Sequence, residues 1–258
     1  MKIVVLVKEV PDTYGDRKLS LETGLADRAA SERVLDEIGE RALEVALSYA
    51  DANAGTDVTV MSMASGDAAA TLRKGLAMGA ATAVQISDDA LAGADLGVTA
   101  KVLAAAVKRE GFDLVITGNL STDGMAGVLP AMLAEHLRVS HVTSLSAVEI
   151  SETSVRGTRA TDDGTATVSA ALPAVISITE ALPDARFPNF KGIMAAKKKP
   201  FTTLSLADLE VDVDVTAAPQ IIMTAITEKP PRGAGVKIVD EGDAGEKLAA
   251  FLIENRLA

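Results

Sequence analysis

The sequence predicts an α/β protein built on a doubly wound, mostly parallel sheet. Apolar, β-branched runs alternate with amphipathic helical segments through the first 137 residues. The first run, residues 2–7, is apolar almost throughout, which is typical of a central parallel strand covered on both faces. The apolar fraction is 48% and the aromatic fraction only 3%, so we expect an aliphatic core between sheet and helices.

Four strand–helix units follow one another. The predicted strands cover residues 2–7, 57–63, 83–86 and 114–117, and the predicted helices cover residues 36–49, 68–78, 95–110 and 129–137. Asp36 is the predicted N-cap of the first helix, and Gly79 ends the second. Parallel neighbours require right-handed crossovers, so we expect helices on both faces of the sheet.

The pattern changes after His141. Residues 142–150, 153–160 and 165–171 are shorter alternating segments, and the strongest turn between them is Thr161-Asp162-Asp163-Gly164. They predict an antiparallel extension of the sheet, followed by a core strand over residues 172–178. Residues 14–33 are polar and irregular, with a short hairpin through Leu19, Leu21 and Leu25.

The chain is predicted to divide into three parts. Residues 1–180 form the α/β domain, residues 181–232 a proline-rich arm, and residues 233–258 a C-terminal segment whose helix packs either on this domain or on a partner subunit. Within the last two parts we expect a short helix over 203–210, an extended stretch over 214–225 and an amphipathic helix over 242–257. Such an arm has little core of its own and needs another surface to lie on.

Large apolar groups and basic residues lie together in this arm. The apolar ones are Phe187, Phe190, Ile193 and Met194, and the basic ones are Arg186, Lys191 and Lys197 to Lys199. One interpretation is a helix end whose lysines face its own dipole. The favoured interpretation is an exposed segment that docks a partner.

Composition excludes several classes of function. The net charge of -11 argues against nucleic acid and anionic membranes as partners. No cysteine is present, and His136 and His141 are the two histidines, so thiolate chemistry and a metal site rich in these residues are excluded. No apolar run of about 18 residues and no leader pattern is found, so we expect a cytoplasmic protein without membrane insertion.

The stretch from Phe112 to Leu137 joins a strand, a small-residue loop and a helix. The N–H groups of a first helical turn favour an anion, and such loops lie at the carboxyl ends of parallel strands, where ligands bind. The loop fits neither GxGxxG nor GxxxxGK[ST]. An ordinary connection with a cap from Ser121, Thr122 or Asp123 is the alternative, and both interpretations remain open here.

Several stretches together resemble the β subunit of electron-transfer flavoprotein, the FixA type. In chain order they are VVLVKEVPDT, LDEIGERALEVAL, TLRKGLAMGA, DLVITGNLSTDG with PAMLAEHL, LPAVISITEALPDARFP and GIMAAKKKP. The resemblance implies an adenine nucleotide α-hydrolase-like sheet. It also implies an α subunit that holds a redox-active FAD, and an AMP or a second FAD in this subunit.

The resemblance also implies which residues bind the nucleotide. Carried over by position, they are Leu6, Asp36, Glu37, Ile38, Gly39, Met63, Gly118, Asn119, Leu120, Ser121, Thr122, Asp123, Gly124, Met125, Ala126, Gly127, Val128 and Leu129. The loop departs from the family's GKQAIDxD, and Asp36-Glu37-Ile38 replaces the usual Asn-Pro-Phe/Tyr. Side-chain donors to phosphate are therefore fewer, and backbone N–H groups are expected to carry the anion.

The implied role is electron transport in fatty acid oxidation, without bond-making catalysis in this subunit. The donors would be acyl-CoA or related flavin dehydrogenases, and the acceptor a membrane-bound quinone reductase. Phe190 lies where the family offers a leucine to its partner dehydrogenases, and Phe187, Ile193 and Met194 surround it. The alternative is a stand-alone adenine-nucleotide-binding protein of the stress or sensor type.

Overall fold

The computed structural model describes residues 1–15, 17–209, 211, 221 and 223–257. The strands are β1 (Lys2–Leu6), β2 (Glu9–Pro11), β3 (Arg33–Leu35), β4 (Asp57–Met63), β5 (Thr82–Ile86), β6 (Leu114–Gly118), β7 (Ser140–Ile150), β8 (Ser154–Thr161), β9 (Gly164–Ala171), β10 (Ala174–Ile178) and β11 (Phe201–Leu204). The α-helices are α1 (Glu37–Ala52), α2 (Ala69–Met78), α3 (Leu96–Glu110), α4 (Leu129–Leu137), α5 (Phe190–Ala196) and α6 (Ala244–Glu254).

One nine-stranded sheet organises the chain, in the order β11-β5-β4-β1-β6-β10-β7-β8-β9. All neighbours from β11 to β7 are parallel, and β7, β8 and β9 are antiparallel. The chain runs outward from β1 to β4 and β5, then returns to place β6 on the other side of β1. The strand order therefore reverses beside β1, and the predicted doubly wound fold with an antiparallel extension is confirmed.

Alternate residues of β1 face two separate apolar layers. Val5 packs with Leu43 of α1 and Leu76 of α2 on one face. Val4 packs with Val102 of α3 and Leu133 of α4 on the other. Since side chains alternate along a strand, a run without polar residues is what two covered faces require.

The prediction of a helix over 203–210 is wrong. Residues 201–204 form β11, which extends the sheet in parallel beside β5, and a single 3₁₀ turn over Ala207–Leu209 follows. The backbone N–H and C=O groups at the edge of β5 pair with this threonine-rich segment. That pairing favours a strand over a helix, and local propensity does not take it into account. The predicted hairpin in residues 14–33 is reduced to one bridge, between Leu19 and Ala26.

The contacts separate the chain into two units, Met1–Thr224 and Ala225–Ala258. This boundary differs from those predicted at 180 and 232, and the assignment of the last segment to a partner surface stays a prediction. The predicted C-terminal helix is present as α6, and none of its residues is buried. The extended stretch predicted over 214–225 lies mostly outside the described residues. Among the described helices, none has the length and apolar character needed to cross a membrane.

Candidate nucleotide-binding site

The carboxyl ends of β1, β4 and β6 lie side by side at one edge of the sheet. Leu6 is in register with Met61 on one side and with Thr117 on the other, so the three strands end at nearly the same level. Two predicted positions, Met63 and Gly118, are the last residues of β4 and β6. Ligands of open α/β sheets bind at the carboxyl ends of the strands where the strand order reverses, so this edge is the candidate site.

Two glycines let α1 begin very close to these strand ends. A Cβ on Gly118 would lie 2.6 Å from Ile38 Cγ2, and a Cβ on Gly39 would lie 3.4 Å from the Cα of Val7. A side chain in place of Gly118 would have to displace Ile38, whereas a Cβ in place of Gly39 would be in ordinary van der Waals contact with Val7. The structure thus brings Ile38, Gly39 and Gly118 together, whereas the Leu6 side chain packs in the apolar layer on the other face of the sheet and Glu37 is exposed.

Asp36 precedes α1, but its carboxylate makes no capping bond to the helix. Its Oδ2 instead accepts a hydrogen bond of 2.9 Å from the backbone N–H of Thr122, across the crevice. The residue is 2% exposed, and its Oδ1 has no hydrogen-bond partner. Burial raises the pKa of this carboxyl, and hydrogen bonding to Thr122 only partly offsets that effect. Asp36 therefore ties the start of α1 to the loop after β6.

Asp123 was expected, in the alternative interpretation, to cap the following helix, and this is wrong. Its Oδ1 lies 2.7 Å from Lys8 Nζ and its Oδ2 lies 3.4 Å from Arg28 Nη2, while its side chain is 8% exposed. Burial raises the pKa of the carboxyl, but hydrogen bonds from Lys8 and Ser121 and the charge of Arg28 outweigh burial and lower it. Helix α4 begins at Leu129, preceded by Val128 without a side-chain cap.

Many backbone N–H groups of the loop after β6 donate hydrogen bonds to acceptors within the protein. Five of its N–H groups do so, those of Asn119, Leu120, Thr122, Gly124 and Met125, with acceptors on Ile178, Asn119, Asp36 and Ser121. These five amides are not available to an anion in this conformation. The remaining predicted loop positions Ala126, Gly127 and Val128 are exposed, as is the side chain of Met125.

Basic side chains surround the loop, and sequence reasoning did not assign them. Lys8 and Arg28 contact Asp123, and Arg17 donates to the carbonyl and hydroxyl oxygens of Thr122. Arg33 pairs with Glu9 at 3.2 Å and with Asp67 at 2.6 Å. Lys8 lies two residues after β1, so the rule that ligands bind at the carboxyl ends of parallel strands could have identified it. The arginines lie in the segment that the sequence presents as irregular.

An open depression of about 420 Å³ lies among these groups. Arg28, Ala29, Ser31, Arg33 and Asp67 line it, and Arg28 also contacts Asp123 of the loop. The volume is within the range of small-molecule sites. The guanidinium groups of Arg28 and Arg33 beside the Ser31 hydroxyl suit a phosphate group, so these residues fit the phosphate end of a nucleotide.

The predicted docking residues are exposed. Phe187 is 93% exposed, Phe190 79%, Ile193 45% and Met194 48%. Asn189 caps α5 by accepting a hydrogen bond of 2.8 Å from the Gly192 N–H. Lys199 does not face the dipole of α5, because its Nζ donates to the carbonyl oxygens of Leu76 and Ala80 at the end of α2. The alternative interpretation of the lysines is therefore wrong for Lys199.

Fold and site define a doubly wound α/β protein with a candidate ligand site where the strand order reverses and with exposed apolar side chains on residues 187–194. Residues 23–209 match the electron transfer flavoprotein domain family. The chain is 43% identical to the electron transfer flavoprotein subunit beta of Mycobacterium leprae, over 99% of this chain and 98% of the relative. It is 32% identical to the same-named subunit of Syntrophomonas wolfei, over 98% and 96% of the two chains. The caffeyl-CoA reductase-Etf complex subunit CarD of Acetobacterium woodii is also 32% identical, over 98% and 97%.

The chain belongs to the electron transfer flavoprotein family, among its beta subunits. The resemblance drawn from the sequence motifs is confirmed. None of these relationships tests the individual nucleotide-binding or docking residues, which stay predictions supported by the geometry described above.

Replacing Asp36 with asparagine should change the pH dependence of stability. The raised pKa means that the unfolded state releases its proton at lower pH than the folded state, so the native protein loses stability as pH rises above about 3.8 toward the folded-state pKa. The Asp36→Asn variant keeps an oxygen for the Thr122 N–H but has no such loss. Its free energy of unfolding relative to the native protein should therefore increase between pH 4 and pH 7, as denaturant titrations at several pH values would show.

Asp67→Asn is the matched control, because Arg33 and Ser65 hydrogen-bond to Asp67 and lower its pKa. A carboxyl with a lowered pKa contributes stability that is fully present above its unfolded pKa of about 3.8 and is lost only below that pH, so the stability of this variant relative to the native protein should stay nearly constant between pH 4 and pH 7. Equal trends for the two variants would contradict the assignment of a destabilised charge to Asp36.

Proposed function

We propose that this chain is the nucleotide-holding subunit of a two-subunit electron carrier. It pairs with an alpha subunit that holds the redox-active FAD, and it retains a structural AMP in the crevice beside β1 and β6, with a second FAD as the alternative. It docks acyl-CoA-type flavin dehydrogenases through its arm, and the electrons pass to a membrane-bound quinone reductase. The chain itself makes and breaks no bonds of a substrate.

One arrangement supports the nucleotide proposal: β1, β4 and β6 end level, Lys8 and Asp36 hold the loop after β6, and Arg28 contacts Asp123 of that loop and lines a depression with Arg33. In this proposal the phosphate oxygens accept from the cationic side chains around the loop, which are those of Lys8, Arg17, Arg28 and Arg33. Asp36 and Ile38 fix the start of α1 against the loop and β6. AMP has no redox chemistry, so its contribution is to join these segments and exclude water.

The C-terminal unit supports pairing with an alpha subunit. Apolar side chains on and before α6 are exposed: Leu248 is 50% exposed, Ile253 70%, Val236 72% and Val239 71%. An amphipathic helix without a buried residue gains little from its own unit. A partner subunit of the same carrier is the surface that we assign to it.

The arm supports docking of a dehydrogenase. Two phenylalanines exposed by 79% and 93% stand on a segment that also carries Lys191, Lys197 and Lys198, in a protein of net charge -11. Exposed aromatic groups on a surface segment are typical anchors of protein interfaces. The CarD relative is a subunit of a caffeyl-CoA reductase-Etf complex. An acyl-CoA-type oxidoreductase is therefore the partner class that we assign.

Chromatography of released nucleotides tests the proposed function. The chain is co-produced with its alpha subunit, purified, denatured and analysed for adenine nucleotides and flavin. We expect one AMP and one FAD per heterodimer. Two FAD and no AMP would assign the second FAD to the crevice, and FAD alone at one per heterodimer would contradict a nucleotide in this subunit.

A further inference from the structure

The docking arm, defined as residues 187–195, has no buried residue. Its conformation therefore cannot come from burial of its own side chains in the core. Both ends of the arm are nevertheless attached to the α1 and α2 face of the sheet by charged side chains. These attachments explain how an exposed segment can hold one conformation.

The first attachment is Arg186. Its Nε and Nη2 donate to the two carboxylate oxygens of Glu44 at 2.8 and 2.9 Å, and its backbone N–H donates to Glu44 Oε2 at 3.0 Å. Its Nη1 donates to Asp51 Oδ2 at 2.8 Å. Glu44 and Asp51 both belong to α1, and hydrogen bonding to Glu44 is the main reason why the pKa of Arg186 is raised. A bidentate pair of this kind fixes both position and orientation.

The second attachment lies on α2. Lys199 Nζ donates to the carbonyl oxygens of Leu76 at 2.9 Å and Ala80 at 2.6 Å, and Arg73 Nη1 donates to Ala196 O at 3.2 Å. Gly192 lies so near this helix that a Cβ there would be 2.3 Å from the carbonyl oxygen of Ala77. Helix α5 is thus held against the end of α2 with its apolar side chains facing outward.

We propose that Arg186 and Lys199 are positioning residues that hold the arm in its docking conformation before a partner arrives. Ordering a loop and its side chains on binding costs free energy, and a segment already ordered avoids that cost. The two attachments leave nine residues between Arg186 and Ala196 and present Phe187 and Phe190 to solvent. This inference rests on the proposed docking function, because it concerns how the same arm binds.

Arg186→Gln is the main test, since it removes the bidentate pair without touching a residue that faces the partner. Hydrogen exchange of the amides in residues 190–196 is measured in the purified heterodimer. The KM for the carrier is measured with an octanoyl-CoA-reduced acyl-CoA dehydrogenase. We expect exchange about tenfold faster and a KM about fivefold higher, with kcat unchanged. Arg186→Lys keeps the charge and should recover part of both effects, and Glu44→Gln should reproduce them.

Arg156→Gln is the control, because Arg156 is an exposed arginine on β8. It should change neither measurement. Faster exchange in Arg186→Gln with an unchanged KM, while Phe190→Ala raises the KM, would overturn the positioning inference and leave the docking proposal standing. Unchanged exchange would overturn the inference as well. An unchanged KM in Phe190→Ala would instead refute docking through the arm.

Discussion

Replacing Lys8 with methionine should both destabilise the protein and release its nucleotide. Lys8 is the closer of the two cations that neutralise Asp123, whose side chain is 8% exposed, and Arg28 at 3.4 Å would remain as its cationic neighbour. Removing one member of a buried pair costs about 3–5 kcal/mol. Because the Lys8 side chain is 42% exposed, we expect a smaller loss, about 2 kcal/mol in the free energy of unfolding.

The nucleotide should be lost for a separate reason. Lys8 Nζ is a phosphate donor in the proposed complex, and losing a hydrogen bond to a charged group costs about 1.5–3 kcal/mol. Denaturant titration measures the first effect, and AMP per heterodimer after extensive dialysis measures the second.

The double variant Lys8→Met, Asp123→Asn separates the two effects. It removes the carboxylate that has lost its nearer cation along with the ammonium group, so most of the stability should return. The lost phosphate contact should not return, and AMP retention should stay low. Retention equal to that of the native protein would show that Lys8 does not bind the phosphate, and a double variant as unstable as Lys8→Met would refute the role given to the ion pair.

Phe190→Ala should weaken docking with no effect on cofactor content. Phe190 is 79% exposed and begins α5, so its removal leaves no cavity in the core. Central aromatic anchors contribute about 2 kcal/mol or more to an interface, which corresponds to a roughly 30-fold rise in KM for the carrier. The measurement is the steady-state rate of electron acceptance from a reduced acyl-CoA dehydrogenase at varied carrier concentration.

Leu21→Ala is a matched control, because Leu21 is also an exposed apolar residue, at 59%, and lies outside the arm. Its KM should equal that of the native protein. FAD and AMP content should be the same in all three proteins. Kinetics of Phe190→Ala that match those of the native protein would argue against the arm as the docking surface.

Local pattern predicted the parallel part of the sheet well, because its strands are buried on both faces. A run such as Ile3–Val4–Val5 has no alternation of apolar and polar residues. Only a central strand with helices packed on both faces accommodates it. Strand β11 could not be predicted in this way. Its four residues, Phe201–Leu204, are stabilised by pairing with the open edge of β5, which is a distant part of the sequence.

In the candidate site, too, the sequence predicted some features and missed others. Its position after β6 follows from strand order alone, and the motifs of the loop indicated the family. The partners of Asp36 and Asp123 did not follow, since each acid has a local capping role that the pattern favours. Thr122 lies 86 residues from Asp36 and Lys8 lies 115 residues from Asp123, and the fold brings each pair within 3 Å.

The sequence by itself determined the fold class, the family and the edge of the sheet where a ligand can bind, because these depend on the periodicity and order of apolar segments. Only the tertiary structure decided which charged groups meet at that edge and how the arm is attached at both ends. A side-chain hydrogen bond acts over about 3 Å. Its partner is therefore set by the folded chain and not by sequence neighbours.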